Sequence, residues 1–85
     1  MIFLIDYDRR AGKIVTFRKF DDFSIRPALD HRLNLELELH RQGIDREVVL
    51  FDAPNEAALQ KTHGRYFKSL SESIQEFIDA IREKL

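Results

Sequence analysis

The chain has 85 residues, with 14 Lys and Arg against 15 Asp and Glu, and no cysteine. That is enough for one domain, and a net charge of −1 gives it no overall attraction to nucleic acid or anionic membrane. Lack of Cys excludes a disulfide staple, a thiol nucleophile and any Cys-ligated zinc or iron–sulfur centre.

An apolar fraction of 44%, with seven Phe, suffices for a core. A chain this short still buries only roughly 60–65% of its unfolded surface, so its stability is marginal. The opening Met-Ile-Phe-Leu-Ile-Asp holds a short apolar run without a basic flank. It is well short of a signal sequence or a membrane span, and a cytoplasmic protein is expected.

Residues 2–7 and 13–20 are rich in β-branched and aromatic residues, and both are predicted strands. Asp8 to Gly12 between them reads as a hairpin loop, with Gly12 suited to positive φ. A loop of that length sets Phe3 opposite Phe17 and Ile5 opposite Val15 on one apolar face. Ile2, Leu4 and Ile14 then make the other face partly apolar, interrupted by Asp6, Thr16 and Arg18.

Asp21, Asp22 and Ser24 are candidate N-caps. Ser24 leaves Pro27 in the first turn, where its missing N–H costs little. The predicted helix runs to Gln42, with Gly43 at the C′ position and Ile44 supplying the apolar contact of a Schellman stop. Leu33, Leu35, Leu37 and Leu39 alternate and would also suit a half-buried strand. Helix is preferred because Leu and Glu favour it and neither is β-branched. On that helix Leu29, Leu33 and Leu37 form one ridge, and Ala28, Leu35 and Leu39 lie on the other side. A helix with two apolar flanks is expected to be wedged between two packing partners.

Val48 to Phe51 is a continuous apolar run, as in a strand covered on both faces. Asn55 caps a helix predicted over 56–67. Ser69 or Ser71 opens the last helix, where Leu70, Ile74, Phe77, Ile78, Ile81 and Leu85 follow helical period. The reading is a small α/β (α+β) domain of order ββαβαα. It has a three-stranded mixed sheet with the long and the last helix packed on it. If residues 32–40 are a strand, the alternative is a four-stranded antiparallel sheet with C-terminal helices.

No residue set names a chemistry. Asp6, Glu36 and Asp52 resemble a nuclease carboxylate set only in type. A right-handed crossover puts Asp6 and Asp52 at opposite sheet edges, too far apart for one metal. His31 and His40, nine residues apart, fall on opposite sides of a helix or a strand. Lys61, His63, Arg65 and Tyr66 could hold an anion beside a ring face, or could simply close the core and favour a helix C-terminus. Arg9, Arg10, Lys13, Arg18 and Lys19 make the hairpin basic, which suits phosphate contacts or a solvated edge strand. No Gly-rich phosphate loop, nucleophile elbow or zinc motif is present.

The composition therefore suggests a non-enzymatic protein-interaction or self-associating module, without cofactor or metal. The alternative is a binder of a small anion or nucleic acid through the hairpin 9–19 or the segment 61–66. A homodimer is expected, because strand three must be an edge yet carries no Lys, Pro or Gly within its apolar run. Ile2, Leu4, Ile14, Val49 and Phe51 are its candidate interface residues.

Overall fold

The computed structural model describes residues 1–68 and 70–83. In chain order the elements are β1 (Ile2–Asp8), β2 (Lys13–Phe20), α1 (Ile25–Gln42), β3 (Glu47–Asp52), α2 (Glu56–Thr62), a 3₁₀ turn (Gly64–Phe67) and α3 (Leu70–Glu83). The sheet order is β2-β1-β3, and both pairings are antiparallel. The class is the expected mixture of helices on a three-stranded sheet. The sheet itself is antiparallel throughout and not mixed, since β1 separates the two strands that share a direction. Residues 32–40 are helical, which removes the four-stranded alternative.

β1 is the strand covered on both faces. Ile2, Phe3, Leu4, Ile5 and Asp6 are all buried in succession. On one side Phe3 and Ile5 pack with Leu59 of α2 and Tyr66 of the 3₁₀ turn. On the other, Leu4 packs with Leu39 of α1 and Val48 of β3. The double burial expected of β3 therefore belongs to β1, and β3, at the sheet edge, is mostly half-buried. An interior strand has neighbours along both edges and can be roofed on both faces, which an edge strand of a three-stranded sheet cannot match.

The hairpin register differs from the expected one. Ile5 pairs with Phe17 and Phe3 with Lys19, because the register shifts between Asp6 and Tyr7. Such a bulge inserts one extra residue on one strand. Asp6 pairs with Thr16 and Tyr7 with Ile14, so Val15 is the extra residue and lies exposed. The shift turns Ile14 to the α2 side, where it packs against the Phe3 cluster. Phe3 and Phe17 remain diagonal neighbours, with ring centroids 5.8 Å apart. Gly12 closes the loop at φ 67°.

The helix signals resolve at atomic detail. Ser24 occupies the N-cap position of α1, but its hydroxyl donates to Asp21 Oδ1 at 2.8 Å and caps no helix amide. Asp21 also accepts from the Phe23 N–H, so it organises the turn. At the far end the Gly43 N–H donates to the His40 carbonyl and the Ile44 N–H to the Leu39 carbonyl, the bond pair of a Schellman motif. Asn55 caps α2 by accepting from the Ala58 N–H at 2.8 Å. The helix expected over 56–67 instead stops at Thr62; His63 caps it and a separate 3₁₀ turn follows. Ser69, a possible cap of α3, and Leu85 lie outside the described residues.

α3 forms where the periodicity places it, and the apolar side chains described in its second half are exposed. Phe77 is 68% exposed, and Ile78 and Ile81 are exposed too. The radius of gyration, 15.3 Å, exceeds the about 12 Å of a compact chain of this length.

Gly43 sits at φ 69°, and a Cβ built there meets nothing within 4 Å. The cost of a side chain is therefore conformational alone. Gly43→Ala should lower stability by about 1 kcal/mol, and Gly43→Asn by less, measured as shifts of the urea midpoint.

Candidate functional site

Three polar clusters lie around the sheet. The first is Asp6 with Arg46. Asp6 is 1% exposed among apolar neighbours, and Arg46 Nε lies 3.3 Å from its Oδ1. Thr16 donates to Oδ2 at 3.4 Å. Burial pushes the Asp6 carboxyl above the usual range, and the Arg46 charge only partly offsets this.

The second cluster centres on Glu47 at the start of β3. Its Oε1 accepts from the Tyr66 hydroxyl at 2.8 Å and from Arg65 at 2.9 Å, and Arg9 reaches its Oε2 at 3.4 Å. Burial alone would raise this carboxyl, but the donors from Tyr66, Arg65 and Arg9 outweigh it and hold Glu47 below the usual range. The Arg65 guanidinium lies over the Tyr66 ring, 4.0 Å from its centroid. Tyr66 is pushed up by burial and by its bond to Glu47.

These contacts locate the anion-binding candidates. Arg65 and Tyr66 are brought together, but around Glu47, which pairs with the guanidinium. His63 stacks on Phe51 with centroids 4.0 Å apart, and Lys61 stands exposed on α2. Three of the five hairpin cations are engaged too. Arg9 pairs with Glu47, Lys19 with Glu56 at 2.9 Å, and Arg18 donates to His31 Nε2 at 2.6 Å. Asp6 points inward on the Ile2 and Leu4 face of β1, where Thr16 meets it, while Asp52 pairs opposite Ile2 at the other end of the β1–β3 ladder. Among the described residues no group of three His, Asp or Glu can hold a metal ion.

The third cluster ties the start of the chain to its surroundings: the Met1 amino group pairs with Asp22 and, at 3.5 Å, with Asp52. Ile2, Asp22, Ile25, Leu50, Phe51 and Asp52 line the open hollow beside it, of about 330 Å³.

What stands out is apolar surface. α1 lies over β3 and β1 and uses Leu35 and Leu39 to cover Leu4, Val48 and Leu50. Its other flank stays about half exposed. Ile25, Leu29, Leu33 and Leu37, spaced by four, are between 46% and 54% exposed. Such residues form one continuous ridge. The helix is expected to be wedged between two partners, and among the described residues the sheet is the one in place. Phe23, in the turn before α1, is 98% exposed. Next to the ridge, β3 pairs with β1 on one side, and among the described residues no strand pairs with its other side. Of the interface candidates, Ile2 and Leu4 are buried in the core, Ile14, Val49 and Phe51 are half-buried, and the exposed leucines of α1 were not among them. The signal for α1 was present as its second apolar flank. Known protein families, curated proteins and solved structures provide no match to this chain. No helix among the described residues is long and apolar enough to cross a membrane.

Two pH-dependent effects of opposite sign follow. Asp6 binds its proton more tightly folded than unfolded, so its ionisation weakens the fold as pH rises through the raised value. Arg46→Ala should cost about 3–5 kcal/mol at neutral pH, where it leaves a buried charge unpaired. The cost should shrink at acid pH, where Asp6 is protonated; urea unfolding at both pH values measures it. Glu47, held low, stabilises the fold above the ordinary glutamate value, and that contribution is lost as pH falls through the folded value. The advantage of wild type over Glu47→Gln should therefore be complete at neutral pH and vanish in acid.

Proposed function

We propose that this chain is a protein-docking module that works through apolar helix surface and a free strand edge, and not through catalysis. One observation carries the reading: four aliphatic residues in a single row on α1 stay about half exposed after folding. Isolated exposed apolar residues are ordinary, but a contiguous row marks a contact surface. The polar groups point the same way. The strongest candidates for binding or acid–base work, Asp6, Glu47, Arg65 and Tyr66, are engaged with one another or with Arg46. They converge on internal contacts and not on a cavity where a small molecule would meet several of them at once.

An interaction surface of this kind is read by aliphatic knobs at i and i+4 spacing, the pattern of helix packing against helix. The 3.6-residue period keeps the row on one side of α1, and Ala28, Leu35 and Leu39 hold that side clear of the sheet.

Affinity capture from the source cells with tagged wild type and with Leu29→Asp/Leu33→Asp tests the reading. Circular dichroism should show both folded, because the two positions are not in the core. Proteins retained by wild type, further copies of the chain included, should be lost with the double variant and kept with the control Arg10→Ala. Capture that is the same for all three proteins would overturn the reading.

A further inference from the structure

Accepting the docking reading above, we propose that the occupant of the α1 ridge is a second copy of this chain. The two copies join β3 to β3 about a twofold axis into a six-stranded sheet, with their α1 helices side by side and antiparallel.

Among the described residues two surfaces are left partly open, and they adjoin each other. β3 is an edge strand whose inner residues, Val48 to Phe51, include no Lys, Pro or Gly. Such an edge is a ready template for pairing with another strand. On α1, His31 faces β2, where it meets Arg18 and Phe20. Leu35 and Leu39 face the sheet. Continuing around the helix at about 100° per residue, the next sector is on the β3 side, and it holds Ile25, Leu29 and Glu36. Ile25 indeed shares a hollow with Leu50 and Asp52 of β3. Ile25 and Leu29, the first half of the ridge, thus overhang the free edge, while Leu33 and Leu37 turn progressively toward the outer side of α1; one partner placed on that side covers the edge and the near half of the ridge.

Dimensions support a copy over another occupant. Strands lie about 4.8 Å apart, so a twofold axis beside β3 sits about 2.4 Å from that strand and about 7.2 Å from β1. α1 rides over the pair β3 and β1. Its axis is then about 5 Å from the twofold, and the two α1 axes are about 10 Å apart, the spacing of packed helices. Antiparallel pairing of β3 with its copy reverses the second α1, because α1 is fixed to its own strand. A closed isologous contact results, and it does not propagate.

Charge fits as well. Arg32 and Glu36 form an i,i+4 pair at 3.0 Å on the flank of the ridge, next to Leu33. They straddle the middle of α1. In an antiparallel helix pair, equivalent flanks face each other, so Arg32 of one copy lies near Glu36 of the other, twice. The flank is self-complementary.

Sedimentation across a micromolar concentration series should give twice the chain mass for wild type. The amides of β3 that face away from β1 should become protected from hydrogen exchange as concentration rises. Arg32→Glu puts like charges together at both crossings, and so does Glu36→Arg. Each alone should weaken association about tenfold. An equimolar mixture of the two variants should recover a heterodimer, and Arg32→Glu/Glu36→Arg in one chain should recover the homodimer. Three results would each overturn the proposal: wild type that stays monomeric, a dimer whose β3 amides exchange at the monomer rate, or single variants that fail to recombine. A monomeric wild type whose cellular capture still depends on Leu29 and Leu33 would sink the dimer and leave the docking module standing.

Discussion

The structure depends on burying β1 on both faces. Five consecutive side chains, Ile2 to Asp6, are shielded from water, which requires one layer on each side of the sheet. α1 provides the first layer with Leu35 and Leu39, and α2 with the 3₁₀ turn provides the second with Leu59 and Tyr66. Burying large aliphatic and aromatic side chains contributes about 1.5–3 kcal/mol each, so this strand dominates the favourable side of folding. It also explains the strand order. In a sheet of three, only the middle strand has both edges paired, and the strand buried on both faces sits there.

The same constraint sets the electrostatics. Asp6 is on the α1 side of a strand with no water on that side, so its charge needs a partner, and the loop after α1 delivers Arg46. Glu47, one residue later, points to the opposite side and meets three donors from the 3₁₀ turn and the hairpin. Two carboxyls bound to neighbouring strands are thereby shifted in opposite directions, one by desolvation and the other by hydrogen bonds to its charged form. Of the residues that make the segment 61–66 look like an anion site, Arg65 and Tyr66 are part of this structural network, with Arg65 laid flat on Tyr66 to reach Glu47.

The layers are unequal in length, and that leaves surface over. α1 has 18 residues but needs only one flank to roof the sheet, while α2 has seven. An 18-residue helix with two apolar flanks and one sheet beneath it must expose the second flank or share it. The leucine ridge and the bare edge of β3 are consequences of building a two-sided core from so few residues.

Much of the fold was legible in the sequence. Gly43 followed by Ile44, and Asn55 before an Ala-rich run, determined two helix ends, because capping depends on the backbone groups of a few adjacent residues. The competition between helix and strand over 32–40 was settled by intrinsic preference for the helix, in spite of the alternating leucines. The two apolar flanks of α1 were also readable, but not which of them would find a partner. Other features were decided only by tertiary structure. The bulge that expels Val15 and turns Ile14 over arises from how two whole strands align, since one residue of slip changes which face every side chain occupies. Which strand would be interior could not follow from composition, because Ile2–Ile5 and Val48–Phe51 are equally apolar runs, and the sheet order alone separates them. The pairing of Glu47 with Arg9, Arg65 and Tyr66 joins three distant segments. Short-range chemistry is written along the chain, whereas strand order, register and long-range ion pairs exist only when segments far apart in sequence share one space.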